Sequence, residues 1–230
     1  MPDTMTGFDR LVTFSNPHSP VAEAYRTLRT NIQFSTIDKP IQTLLATSTG
    51  PDEGKSTTLA NLAVAIAQTG SSVVLVDCDL RRPTIHRIFG LRNTDGLTNV
   101  ALGEYRDALP FQDTAVPNLR ILAAGPTPPN PSELLGSRRM SEVISVLKGQ
   151  ADFVLFDTPP IIAVTDAAVL ASKVDGVLLV IRAGKTKRDL AKRAKELLDK
   201  VNANILGVVL NDARAESNAY SYYASESSND

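Results

Sequence analysis

The chain has 230 residues, 43% of them hydrophobic, enough for one substantial core and too few for a second full domain. Its 24 basic and 25 acidic residues leave a formal charge of −1, without the positive excess that phosphate-backbone binding favours, so no nucleic-acid partner is expected. A single cysteine, Cys78, excludes an internal disulfide framework and fits a reducing cytoplasm, and Cys and His residues nowhere take zinc-ligand spacing.

Residues 1–18 lack the continuous apolar stretch of a signal peptide, and no run of about 18 apolar residues could cross a bilayer. Any membrane attachment is therefore expected to come through a partner. Residues 1–18 read as a flexible start, 19–211 as one domain and 212–230 as a flexible tail.

Val21, Tyr25, Leu28 and Ile32 recur at spacings of four, three and four, predicting an amphipathic helix that starts at Ser19 and Pro20. Strands are predicted at Gln42 to Thr47, Ser72 to Asp77, Asn118 to Ala123, Asp152 to Asp157, Gly176 to Arg182 and Ile205 to Leu210. Between them run a helix from about Gly54 and further helices near Met140 to Lys148, Val164 to Lys173 and Lys187 to Val201. Unbroken apolar runs such as Val73 to Val76 belong to strands covered on both faces, so the class is α/β, a doubly wound, mostly parallel sheet of P-loop type. Residues 125–131 hold Pro126, Pro128, Pro129 and Pro131 and are expected to form a shaped loop.

Ser48-Thr-Gly-Pro-Asp-Glu-Gly-Lys-Ser-Thr57 lies between an apolar strand and an amphipathic helix, the setting a phosphate-binding loop requires. A turn entering a helix aims several backbone N–H groups at phosphate oxygens, so Pro51, Asp52, Glu53, Gly54, Lys55, Ser56 and Thr57 are the candidate nucleotide residues. Lys55 supplies charge to the β and γ phosphates, and Ser56 offers a hydroxyl to Mg²⁺. Two strands then run into carboxylates at their C-terminal ends, Asp77-Cys78-Asp79 and Asp157-Thr-Pro-Pro. Carboxylates there can face the phosphates, hold Mg²⁺ and accept a proton from an incoming hydroxyl. Cys78, alternating with the two aspartates, is expected to point away from them into packing.

Asp77-Cys-Asp79-Leu-Arg81 resembles the second aspartate motif of the bacterial tyrosine kinases of capsule and exopolysaccharide synthesis. Glu23-Ala-Tyr-Arg26-Thr-Leu-Arg29-Thr-Asn31, Gly125-Pro-Thr-Pro-Pro-Asn-Pro-Ser-Glu-Leu-Leu135 and the tail tyrosines resemble that family as well. The split Gram-positive form matches best, since too little chain precedes the loop to hold the membrane segments of fused relatives. The resemblance implies ATP and Mg²⁺ as cofactors and catalytic roles for Lys55, Asp77 and Asp79, with Asp77 the candidate base. It places metal-holding roles on Ser56, Asp77, Asp79 and Asp157.

It further implies autophosphorylation of Tyr220, Tyr222 and Tyr223, which make up three of the five tyrosines. Other tyrosine-containing proteins would be substrates too. A ring-like homo-oligomer would form through Glu23, Arg26 and Arg29, although sequence alone favours a pair within the helix at this spacing. A transmembrane modulator would recruit the cytoplasmic kinase to the inner face of the membrane. Relatives commonly carry Gly where Asp52 stands, and Asp tolerates the left-handed backbone that position needs. The alternative is a MinD- or ParA-like ATPase switch without transfer to protein. Those proteins carry an extra lysine where this chain has Gly50. The basic helix after Gly184 reads as a solvated face.

Overall fold

In the computed structural model the described residues are 11–35, 40–105 and 108–213. In chain order they form α1 (Val12–Ser15), α2 (Pro20–Phe34), β1 (Thr43–Ser48), α3 (Lys55–Ala67), β2 (Val73–Asp77), α4 (Ile85–Ile88) and α5 (Leu97–Leu102). There follow β3 (Gln112–Asp113), β4 (Leu119–Leu122), α6 (Pro131–Gly136), α7 (Arg138–Lys148), β5 (Phe153–Asp157), α8 (Asp166–Ala171), β6 (Gly176–Arg182), α9 (Arg188–Asp199) and β7 (Ile205–Asn211). The strands make one sheet in the order β3-β4-β2-β5-β1-β6-β7. Every neighbouring pair is parallel except β3 and β4.

The apolar runs become central strands because both faces of the sheet are covered. Along β2, Val74 and Val76 enter a core with Leu97, Met140, Val143, Leu170 and Leu198, on the side of α5, α7, α8 and α9. Val73 and Leu75 point the other way, into a core with Leu11, Ile32, Leu59 and Ile85 from α1 to α4. Cys78 joins the first of these cores and is fully buried, as its alternation with the aspartates predicts. No helix among the described residues is long and apolar enough to cross a membrane.

Ser19 caps α2, its hydroxyl accepting from the Ala22 amide at 3.1 Å, with Pro20 in the first turn. The inward stripe differs at its start: Val21 is 54% exposed, and Ala22 is buried in its place. The flexible start does not extend to residue 18. Leu11 and Thr13 are buried, and Thr13 is tied to α3 through Asn61 Oδ1, accepting from the Thr13 amide at 3.0 Å and from its hydroxyl at 2.9 Å. A short polar segment without periodicity hides such docking, because its partner lies 48 residues away. The proline-rich stretch is a loop up to Pro131, which opens α6 at a first-turn position where a missing N–H costs nothing.

Candidate active site

Parallel order brings the C-terminal ends of β1, β2 and β5 side by side, where an open α/β sheet places its ligands. The phosphate-type loop leaves β1 at Ser48 and enters α3 through Gly54, whose φ of +83° is left-handed. A Cβ on Gly54 would stand 1.9 Å from Asn211 Nδ2, which donates to the Glu53 carbonyl at 3.0 Å. The left-handed backbone therefore favours glycine here, and a side chain would also have to displace the Asn211 amide from the loop. Asp52 also adopts a left-handed φ of 58°, as its short polar side chain permits. That side chain is exposed, and its carbonyl accepts from Arg182 Nη1 at 3.3 Å.

Glu53 turns back into the loop. Its carboxylate accepts from the Thr49 amide at 2.8 Å, the Thr49 hydroxyl at 2.5 Å, the Gly50 amide at 3.2 Å and the Thr186 hydroxyl at 2.5 Å. Such a set spends the side chain on holding the loop's shape, leaving its backbone N–H as the group with which it can meet a phosphate. Thr186, in the turn after β6, and Asn211, the last residue of β7, thus brace the loop. Nothing local in the sequence marks Thr186 for this role, since its partner lies 133 residues away.

Lys55 and Asp157 form the centre. Lys55 Nζ lies 2.5 Å from Asp157 Oδ1 and 3.0 Å from Ser56 Oγ, which itself donates to Asp157 Oδ2 at 2.6 Å. Asp157 is fully buried, and Asp77 lies beside it in register on β2. Asp77 is sealed as well. Its Oδ1 accepts from the Asp79 amide at 3.1 Å, and its Oδ2 from the Thr84 and Ile85 amides at 3.0 Å each. Burial, reinforced by the Asp157 carboxylate, pushes Asp77 up to about 8, while the Ile85 amide and Lys55 pull the other way.

Asp79, by contrast, borders a cleft of about 240 Å³ that the loop from Gly50 to Thr57 also lines, together with Arg82 and Thr84. Its Oδ1 accepts from the Arg82 amide at 3.0 Å. Burial raises its carboxyl too, against the pull of Lys55. The structure thus gathers Lys55, Ser56, Asp77, Asp79 and Asp157, but puts Asp79 rather than Asp77 on the wall of the cleft.

Among the described residues no group of three or more His, Cys, Asp and Glu side chains is arranged to hold a metal by itself. The donor set still fits a hard cation of the Mg²⁺ kind, which takes one or two carboxylates and completes its octahedron with water and phosphate oxygens. The Ser56 hydroxyl and the Asp157 carboxylate already meet at the foot of the loop, and Asp79 lines the same cleft as Ser56.

Glu23, Arg26 and Arg29 do not line this cleft. Arg26 pairs with Glu23 at 2.7 Å and reaches the Pro17 carbonyl, while Arg29 Nη1 donates to the Ala65 carbonyl of α3 at 3.0 Å. The intrahelical pair that sequence alone favours is therefore present. Tyr220, Tyr222 and Tyr223 lie outside the described residues.

The ParA family profile, described as NUBPL iron-transfer P-loop NTPase, matches residues 42–222. The chain is 43% identical to the tyrosine-protein kinase YwqD of Bacillus subtilis, over 94% of this chain and 92% of that one. It is 42% identical to the putative tyrosine-protein kinase CapB of Staphylococcus aureus, over 93% of each. Among solved structures, the chimerical protein CapA2B2 superposes with a TM-score of 0.86 at 39% identity, covering 91% of this chain and 92% of that one. The kinase domain of the Escherichia coli tyrosine kinase ETK gives 0.83 at 33% identity, covering 89% and 82%. The cell division ATPase MinD of Pyrococcus furiosus gives 0.62 at 28% identity, covering 74% and 72%.

Proposed function

The chain belongs to the bacterial tyrosine-protein kinases, within the ParA-like P-loop NTPases, and on that footing we propose that it transfers the γ-phosphoryl group of ATP to tyrosine hydroxyls. Its acceptors include Tyr220, Tyr222 and Tyr223 of its own tail, and its role is the regulation of capsule or exopolysaccharide synthesis. The observation that carries the chemistry is the cleft lined by both Lys55 and Asp79, with Lys55 paired to the buried Asp157.

Backbone N–H groups of residues 50–57 hold the phosphates, and the Lys55 ammonium supplies charge where negative charge develops. Ser56 and Asp157 would hold Mg²⁺, with Asp79 lining the same cleft. The ion would supply positive charge against the phosphate oxygens. Asp79 accepts the phenolic proton as the tyrosine oxygen bonds to the γ-phosphorus and the bond from phosphorus to the bridging oxygen breaks, releasing ADP. A carboxyl raised by burial suits that task better than one at its ordinary value, because a phenol of pKa about 10 yields its proton reluctantly. Asp77, sealed behind, fixes the turn that presents Asp79.

Changing Tyr220, Tyr222 and Tyr223 to Phe is expected to remove most autophosphorylation while leaving nucleotide affinity unchanged, since the acceptors lie beyond the loop that binds phosphate. Phosphate incorporation and nucleotide titration check both halves. Undiminished incorporation would move the acceptors elsewhere, with Tyr105, partly buried and donating to Asp95 at 3.2 Å, the next to test.

The proposal extends to a ring-like homo-oligomer, recruited to the membrane by a transmembrane modulator, whose head-to-tail contacts use α2 and present one subunit's tail to the next. Arg26→Ala with Arg29→Ala is expected to lower the mass seen by light scattering on dephosphorylated protein. Glu23 is more than half exposed and free to exchange its internal pair for one between subunits. Because Arg29 also holds the Ala65 carbonyl, Arg26→Ala alone isolates the assembly effect from the packing of α2 on α3. An unchanged mass in both variants would defeat the interface.

A further inference from the structure

Arg81 of the second aspartate motif and Ser132 of the proline-rich segment have no part in the phosphate chemistry, yet they meet on one buried carboxylate. Asp166, in the first turn of α8, is 0% exposed. Arg81 reaches it with two prongs, Nε to Oδ2 at 2.9 Å and Nη2 to Oδ1 at 3.1 Å. Ser132 Oγ donates to Oδ1 at 2.5 Å and accepts from Arg81 Nη2 at 3.2 Å. Residues separated by 85 and 34 positions in sequence thus converge on one anchor.

The physical demand comes from Asp166. A buried carboxylate needs charged or hydrogen-bonding partners on both oxygens, and a planar guanidinium meets both at once where an ammonium cannot. Arg81 makes no such demand in return, because its side chain is 40% exposed and could be hydrated. What the pair fixes is the course of the chain two residues beyond Asp79. Residues 77–85 then have two moorings: inside, Asp77 takes the amides of Asp79, Thr84 and Ile85, and outside, Asp166 takes Arg81. Asp79 sits between them on the wall of the cleft.

We propose that Asp166, through Arg81 and with Ser132, is a positioning residue for phosphoryl transfer, holding the Asp79 turn against the phosphate-binding loop. The proposal rests on the kinase reading above. It gives the proline-rich segment a task, since Pro131 starts the helix from which Ser132 reaches Asp166.

Asp166→Asn, Arg81→Lys and the double variant test it, each assayed for tyrosine transfer at saturating ATP, for nucleotide affinity and for thermal stability. A displaced turn is expected to lower kcat by about tenfold to a hundredfold while nucleotide Kd stays within about threefold, because the phosphate loop does not depend on Asp166. The double variant should be no slower than the slower single variant, since both break the same mooring. Should Asp166→Asn fail to fold, Arg81→Lys and Ser132→Ala, both at partly solvated positions, carry the same comparison. An unchanged kcat, a loss of nucleotide binding in step with kcat, or losses that multiply in the double variant would each overturn the assignment. Wild-type protein that hydrolyses ATP without labelling tyrosine would overturn the kinase reading itself, which no behaviour of the variants alone can do.

Discussion

Lys55→Met is expected to lower tyrosine phosphorylation by about 10³-fold, because it removes the one ammonium at the foot of the phosphate loop, where charge develops during transfer. The cost does not stop at chemistry. Lys55 is 7% exposed and paired with a fully buried Asp157, so the substitution strands a carboxylate whose remaining side-chain partner is the Ser56 hydroxyl. Breaking a buried pair from one side costs about 3 kcal/mol, and the nucleotide-free variant should melt earlier accordingly. Adding Asp157→Asn removes the stranded charge and is expected to recover most of that stability without recovering transfer. Calorimetry alongside a kinase assay separates the two effects. Transfer by Lys55→Met within about threefold of wild type would show that the loop is not the reacting site.

Asp79→Asn is expected to cost about 10²- to 10³-fold in kcat with little change in ATP affinity, since an amide cannot take the phenolic proton and the phosphate loop is untouched. Asp77→Asn should also be slow, for a different reason. An amide offers a single acceptor oxygen where three backbone N–H groups converge, so the turn carrying Asp79 loses a mooring. The two variants part in their pH–rate profiles. The limb set by the accepting carboxylate should vanish in Asp79→Asn and persist in Asp77→Asn. Full activity in Asp79→Asn, or a limb lost only in Asp77→Asn, would return the base to Asp77.

The phosphate loop, the six parallel strands and the three aspartates were legible because each announces itself locally: an apolar run, then glycine and lysine at a helix start, or a carboxylate at or just past the end of a run. The two-residue edge strand β3 is too short to do so. Even the direction of Cys78 followed from alternation alone. What separates Asp77 from Asp79 was not legible. Asp77 closes the strand and Asp79 follows two residues on, and only the return of the chain through Thr84 and Ile85 buries one and leaves the other on the cleft. Glu53 shows the same limit, since its position in the motif suggests phosphate whereas Thr186, far along the chain, draws its carboxylate away. Asp166 gave no sign at all as the first residue of a six-residue helix. The short helices α1, α4, α5 and α6 escaped because four to six residues hold too little of the helical period to register.

Tyrosine transfer, rather than nucleotide switching, is the central claim, and one measurement bears on it directly: incubation of the dephosphorylated chain with ATP and Mg²⁺, followed by intact-mass and peptide mass spectrometry. The account predicts mass increments of whole phosphoryl groups, located on Tyr220, Tyr222 and Tyr223 and missing when Mg²⁺ is withheld. ADP production with no phosphate on any tyrosine would contradict it and assign the same cleft to an ATPase switch.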